Sequence, residues 1–169
     1  NSLNAYNYNL KKGFNLETIQ AYNNLDEISQ IFNKIDFVTI GRVDFVSSLD
    51  KNRDFVDSDE MFNIVKTVFE TARKNNILCY MGGAVSIKSK NFIKNLIQEN
   101  LLDKFETRYI IYDVHKINID DLDRLLYLGN LFEVEWLKFI NERYLLYANN
   151  DVKRIKMIEE RININDFKK

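Results

Sequence analysis

Two carboxylates, Glu17 and Asp44, stand where one divalent cation can be held. Each follows a short apolar stretch that reads as a β-strand. In parallel α/β folds the working groups gather at the C-terminal ends of the strands. Neighbouring strands lie about 4.8 Å apart, so carboxylates that end adjacent strands can reach the same ion. Magnesium is typically held by one or two carboxylates, with water and substrate completing its shell. The plainer alternative is that Glu17 faces solvent and Asp44 caps a short helix starting near Phe45.

The same rule selects three other places: Gly41-Arg42-Val43-Asp44, Gly82-Gly83-Ala84-Val85-Ser86, and Asp113 to His115. Glycines in the first two allow close backbone approach or positive φ. Arg42 can pair with a substrate anion as a catalytic residue, or lie on the rim. Gly82-Gly83 with Ser86 can cradle a carboxylate or phosphate through backbone N–H groups, or form a tight turn. It is not a phosphate-loop or dinucleotide signature. His115 is a candidate base if it points inward, and otherwise a surface residue. Cys79 reads as a small core residue, with nothing basic nearby to activate it.

The elements that must position these residues follow from periodicity. Phe14–Thr18, Ile35–Ile40, Ile77–Met81 and Tyr109–Val114 read as strands. The second is a β-branched run expected to be buried on both faces of a parallel sheet. Helices are expected over Asn23–Phe32, with Asn24 as N-cap, over Ser58–Lys74 and over Ser89–Leu101. Ser58–Lys74 is the clearest, with a capping serine, acidic residues at its start, basic residues at its end and an i, i+3, i+4, i+7 apolar stripe. This alternation implies βαβ units and a parallel sheet. Ile119–Ala148 reads as one long helix, or as two divided at Gly129-Asn130. Val152–Ile162 reads as a further amphipathic helix. The expected boundaries are residues 1–117 for the α/β part and 118–169 for a C-terminal helical extension. Core packing or subunit contact is the expected role of Trp136 and its apolar neighbours.

Composition narrows the function classes. With 169 residues, 46% hydrophobic and 29% charged, the chain can bury a core. Lys plus Arg is 24 against 25 Asp plus Glu, so there is no basic excess of the kind nucleic-acid binding shows. No apolar run approaches the roughly 18 residues of a membrane helix. A single cysteine excludes an internal disulfide framework, and a single histidine excludes a His-rich zinc site. A reducing cytoplasm is the expected compartment. The chain has no proline, where average usage of about 5% would supply roughly eight. It begins at Asn1 after no signal-peptide pattern, which reads as a cut: an artificial boundary, a processed end, or the start of one half of a longer protein. Residues 1–13 read as a polar lead-in.

The residues ETIQA (17–21), NLDEI (24–28), IDFVTIGRVDFVSSL (35–49), GGAVS (82–86) and FETR (105–108) resemble, in that order, the HpcH/HpaI aldolase/citrate lyase family. FEVEWLKF (132–139) and KRIKMIEER (153–161) resemble its helical tail. The resemblance implies a (β/α)8 TIM barrel of which this chain carries strands five to eight and the C-terminal helices. It implies a divalent metal, Mg2+ or Mn2+, on Glu17 and Asp44. The implied chemistry is cleavage or formation of a carbon–carbon bond through an enolate, on a 2-oxo acid or an acyl-coenzyme A relative. The backbone of Gly41 to Asp44 is implied to touch the substrate carboxylate. Gly41, Arg42 and Val43 would shape the oxo-acid site, and Gly82 and Gly83 its far wall.

The family commonly has Gly-Pro-x-Asp where this chain has Gly41-Arg42-Val43-Asp44, which marks a divergent branch. The family's enolate-stabilising Arg, and its His base, belong to the first half of the barrel and match no residue here. A half barrel exposes sheet edges and an apolar face. The expected partners are therefore the other half barrel or a second subunit in a homo-oligomer, with the fragment inactive alone. Two other readings stand beside the lyase. One is a non-catalytic barrel module used for binding or assembly through the long helical segment. The other is a phosphate-binding barrel using Gly82-Gly83.

Overall fold

The structure is a computed structural model that describes residues 10–162; residues 1–9 of the polar lead-in and residues 163–169 lie outside the described residues. Five strands form one sheet: β1 (Gly13–Leu16), β2 (Phe37–Gly41), β3 (Leu78–Gly82), β4 (Lys104–Thr107) and β5 (Ile110–Asp113). Their spatial order is their chain order. Strands β1 to β4 are mutually parallel and β5 is antiparallel to β4. A doubly wound sheet reverses its strand order at a switch point; this sheet has no reversal.

The helices are α1 (Ile19–Asn23), α2 (Leu25–Ser29), α3 (Arg42–Ser48), α4 (Asp59–Lys74), α5 (Lys90–Gln98) and α6 (Leu122–Ile162). Helix α4 forms where its periodicity predicts. Ser58 caps it by accepting from the Met61 amide at 3.1 Å, and Met61, Ile64, Val65, Val68, Phe69 and Ala72 are all buried. Full burial of such side chains contributes about 1.5–3 kcal/mol each for the larger ones, which is what fixes α4 to the sheet. Asn23–Phe32 divides into two short helices, and Thr18 rather than Asn24 provides a side-chain cap, for α1.

Alternation along the strands separates two faces. Leu16, Val38, Ile40, Cys79, Met81 and Phe105 are buried in the same core as the apolar stripes of α4 and α5 and the start of α6. Asn15, Phe37, Thr39, Tyr80, Lys104 and Glu106 occupy the opposite face, where none is buried. Burial of β2 on both faces is therefore not found: its pattern is half-buried, buried, half-buried, buried, half-buried. On the open face the Phe37 ring lies across Gly13 and stacks on Tyr80 at 4.7 Å between centroids. The Lys104 ammonium sits 5.1 Å from the Tyr80 ring centre.

Tyr109–Val114 corresponds to β5, and it is not the fourth parallel strand. That place belongs to β4, whose Lys-Phe-Glu-Thr sequence alternates polar and apolar residues, as a strand covered on one face does. Arg108 and Tyr109 form the two-residue turn into β5. Helix α6 runs unbroken through Gly129-Asn130. The glycine serves close approach: a Cβ there would lie 2.7 Å from both Thr107 Oγ1 and Tyr112 Oη.

Compact units divide the chain after Asn130, not at 117/118. The first unit extends into α6 because Leu122, Leu126 and Gly129 are buried. In the second, which starts at Leu131, α6 exposes many large apolar side chains, including Leu145, Leu146, Ile155 and Ile162. Among the described residues, no helix is long and apolar enough to cross a membrane.

Candidate active site at the C-terminal end of the sheet

Parallel register sets a row of four positions across the open face. Asn15 pairs with Thr39, Thr39 with Tyr80, and Tyr80 with Lys104. Two residues further along each strand, on the same face, come Glu17, Gly41, Gly82 and Glu106. Gly41 and Gly82 are themselves register partners, so the middle of the row carries no side chains.

Glu17 lies over this floor. A Cβ on Gly41 would fall 2.4 Å from Glu17 Oε1. Gly41 has φ −88° and ψ 92°, a conformation open to any residue, so glycine is needed there for space. Asn15 Nδ2 donates to Glu17 Oε1 at 3.1 Å. The Ile19 amide donates to Ser48 Oγ at 2.8 Å, which ties the start of α1 to the end of α3. Asp44 is exposed in the first turn of α3, whose N-cap position is Gly41. This helix starts at Arg42, three residues before Phe45. Glu17 therefore lies against Gly41 and Asp44 follows Gly41 by three residues in the chain, at the C-terminal ends of adjacent parallel strands.

Arg42 lies neither on the rim nor open to a substrate. It is fully buried, and its donors are committed to the protein. Nη1 donates to Asp57 Oδ1 at 2.6 Å and to the Val56 carbonyl at 3.1 Å. Nη2 donates to the Gly83 carbonyl at 2.9 Å and to Ser89 Oγ at 3.2 Å. Nε faces the Gly82 carbonyl at 3.4 Å. The guanidinium also lies 4.9 Å from the Phe92 ring centre. Burial lowers its pKa from the ordinary value, opposed by the charge and hydrogen bond of Asp57. Arg42 thus positions the Gly82-Gly83 loop from inside the protein and, contrary to the expectation of a catalytic residue, does not face a substrate. Five donors in a planar fork suit arginine to bracing several carbonyls at once.

The Gly82-Gly83 segment is the tight turn of the two alternatives. Gly83 has φ 87° and Ala84 φ 53°. A Cβ on Gly83 would meet the backbone nitrogens of Arg42 and Val43 at 2.7 Å. Gly83 therefore packs against the start of α3, and of the pair it is Gly82 that floors the open face. Ser86 accepts from the Lys88 amide as a local cap. Val43 is half-buried and packs on the core.

Asp113 and His115 fall at the wrong end of the sheet for catalysis. Because β5 is antiparallel, Asp113 pairs with Lys104, the first residue of β4. The His115 ring nitrogen Nε2 lies 3.1 Å from Asp103 Oδ1. Asp103, 5% exposed, also accepts from the Cys79 amide at 2.7 Å and pairs with Arg73 at 2.8 Å. That cluster braces the N-terminal end of β3 and β4. Cys79 is buried as expected, and desolvation pushes its thiol up to about 12.

The residue that strand reading passed over is Glu106. Its carboxyl lies over Gly82, where a Cβ would fall 2.7 Å from Glu106 Oε1. It borders a hollow on the open face with Thr39, Tyr80, Lys104 and Ile111. Desolvation raises its pKa above the ordinary carboxylate value. The signal available in the sequence was the period-two alternation of Lys104 to Thr107.

The donors near Gly41 are hard oxygens. Glu17 and Asp44 offer carboxylate oxygens, and one or two carboxylates suffice for magnesium when substrate and water supply the rest. Among the described residues no group of three or more His, Cys, Asp or Glu side chains is arranged to hold a metal ion. Comparison with family models, curated proteins and solved structures finds no match.

Proposed function

We propose that this chain is the second half of a (β/α)8 barrel and belongs to a metal-dependent carbon–carbon lyase acting on a 2-oxo acid or a coenzyme A thioester. The observation that carries this reading is the pairing around Gly41. One carboxylate lies over the glycine and a second stands one helical turn beyond it, at the end of the sheet where parallel folds collect their chemistry. Strand order without reversal supports the barrel assignment. Strand β5 covers the outer edge of β4, the edge a closed barrel pairs with its first strand, so β5 would have to move aside for closure; among the described residues β1 is the edge open to further strands.

Glu17 and Asp44 would hold Mg2+ or Mn2+, which when bound supplies Lewis-acid stabilisation of an enolate oxygen. Asn15 holds the Glu17 carboxylate in place. Gly41 and Gly82 leave room for the Glu17 and Glu106 carboxyl groups to lie over the strand ends, where an oxo acid would meet them. Arg42, acting through the Gly82 and Gly83 carbonyls, keeps that floor in position. A reducing cytoplasm is part of the same proposal.

A binding or assembly module is the second reading, favoured by the exposed apolar residues of α6 from Leu145 onward. Burying such side chains contributes about 1.5–3 kcal/mol each, which would draw copies of this chain into a homo-oligomer. One experiment separates the readings. Asp44→Asn and Glu17→Gln in the full protein are expected to abolish metal-dependent enolisation of a 2-oxo acid and to weaken Mn2+ binding at least tenfold. Variants with unchanged turnover and Mn2+ affinity would sink the lyase reading and leave the module.

A further inference from the structure

We propose that Glu106 is the proton-transferring residue of this site, the base that removes, and the acid that returns, the proton on the carbon next to the substrate carbonyl. This rests on the lyase reading and supplies the base that reading lacks.

The argument begins with the two-glycine floor. Glu17 enters it from the β1 side over Gly41, and Glu106 enters it from the β4 side over Gly82. Register-paired strands are about 4.8 Å apart, and the carboxyl oxygens lie 2.4 and 2.7 Å from the Cβ positions of their glycines. The two carboxyl groups therefore lie over neighbouring glycines, with their Oε1 atoms no more than about 10 Å apart. A small acid bound at these strand ends would meet both carboxyl groups.

Their surroundings divide the labour. Glu17 accepts from the Asn15 side-chain amide, and Asp44, in the first turn of α3, is the other carboxylate the lyase reading gives to the cation. Glu106 has no such neighbour on its own strand facing it; the charged and titratable groups bordering its hollow are Lys104, whose ammonium lies over the Tyr80 ring, and Tyr80 itself. A partly desolvated carboxyl is suited to taking and giving a proton, because a base works best when its pKa approaches the working pH. The mapped candidates elsewhere do not serve: Arg42 is buried, and His115 is at the opposite end of the sheet.

In the step itself, a carboxylate oxygen of Glu106 takes the proton from the carbon next to the carbonyl. The C–H bond breaks and an O–H bond forms. The C–H electron pair becomes the carbon–carbon double bond, and the carbonyl π pair moves onto oxygen to give the enolate. In the reverse direction the same O–H returns the proton to carbon. No oxidant or reductant is needed.

The test uses the full protein with Mg2+ and pyruvate in heavy water, following deuterium entry into the pyruvate methyl group by proton NMR. Glu106→Gln is expected to slow exchange at least 100-fold, in line with the typical contribution of a general base, with Mn2+ affinity unchanged. The wild-type rate should fall as pH drops through the Glu106 pKa, and the variant should lose that acid limb. Gly82→Ala, whose added methyl would meet the Glu106 side chain first, with Oε1 at 2.7 Å, should slow exchange at least tenfold while the fold is kept. In metal-free protein, the carbon-13 resonance of the Glu106 carboxyl should move on adding pyruvate. Exchange by Glu106→Gln within threefold of wild type, or a Glu106 resonance that ignores pyruvate, overturns the proposal and leaves the lyase reading intact. Wild-type protein that neither binds Mn2+ nor exchanges overturns both.

Discussion

Replacing Arg42 with lysine tests whether this residue is a brace or a substrate ligand. A lysine ammonium can keep the ion pair with Asp57, which Nη1 now makes at 2.6 Å. It is a compact charge and cannot also span to the other side of the guanidinium. The Gly83 carbonyl, at 2.9 Å from Nη2, and Ser89 Oγ, at 3.2 Å, lose their donor. The long contact to the Gly82 carbonyl goes as well. Each such loss costs about 1 kcal/mol, and more where the acceptor stays buried. The expected destabilisation is about 2–3 kcal/mol. For a chain of this length each kcal/mol moves the melting temperature by about 2–4 °C, so Arg42→Lys should melt roughly 4–12 °C lower. Circular dichroism melts, with urea midpoints alongside, measure this directly. A melting temperature within about 2 °C of wild type, together with lost turnover, would refute the brace and return Arg42 to the substrate.

Gly83→Ala combines a positive φ of 87° with a Cβ only 2.7 Å from two backbone nitrogens; it should cost about 2–4 kcal/mol, since the left-handed conformation alone costs an L-residue about 1–2 kcal/mol, and a urea midpoint equal to wild type would show that the turn yields. Cys79 should resist thiol reagents in the native protein: burial moves its pKa from 9.0 to about 12, so on the order of a thousandfold less thiolate is present below pH 9 than in an exposed thiol. Labelling should become fast only in denaturant, and rapid labelling of the folded protein at pH 8 would contradict the packing of β3.

Much of the scaffold is legible locally. Ser58 and the six apolar residues of α4 lie within single helical turns of one another, so capping and periodicity alone locate that helix. The apolar runs ending at Gly41 and Gly82 locate β2 and β3 for the same reason. What local pattern misses is direction and partnership. Tyr109–Val114 is as apolar as the other strands, yet it returns antiparallel after a two-residue turn, which sends Asp113 and His115 to the far end of the sheet. Gly129-Asn130 has the composition of a break, but the glycine lies there because the helix passes against Thr107 and Tyr112.

The sequence by itself determined that the chain alternates strands and helices, that its core is large enough to fold, and that carboxylates and glycines follow the first strands. Only the tertiary structure decided what these residues face. The row Glu17, Gly41, Gly82, Glu106 joins positions up to 89 residues apart in the chain, and it exists because hydrogen bonds between parallel strands fix one register. Arg42 is equally non-local: its type suits a substrate anion, but the carbonyls of Val56, Gly82 and Gly83 surround it with acceptors, and a buried guanidinium must satisfy its donors wherever the fold places them.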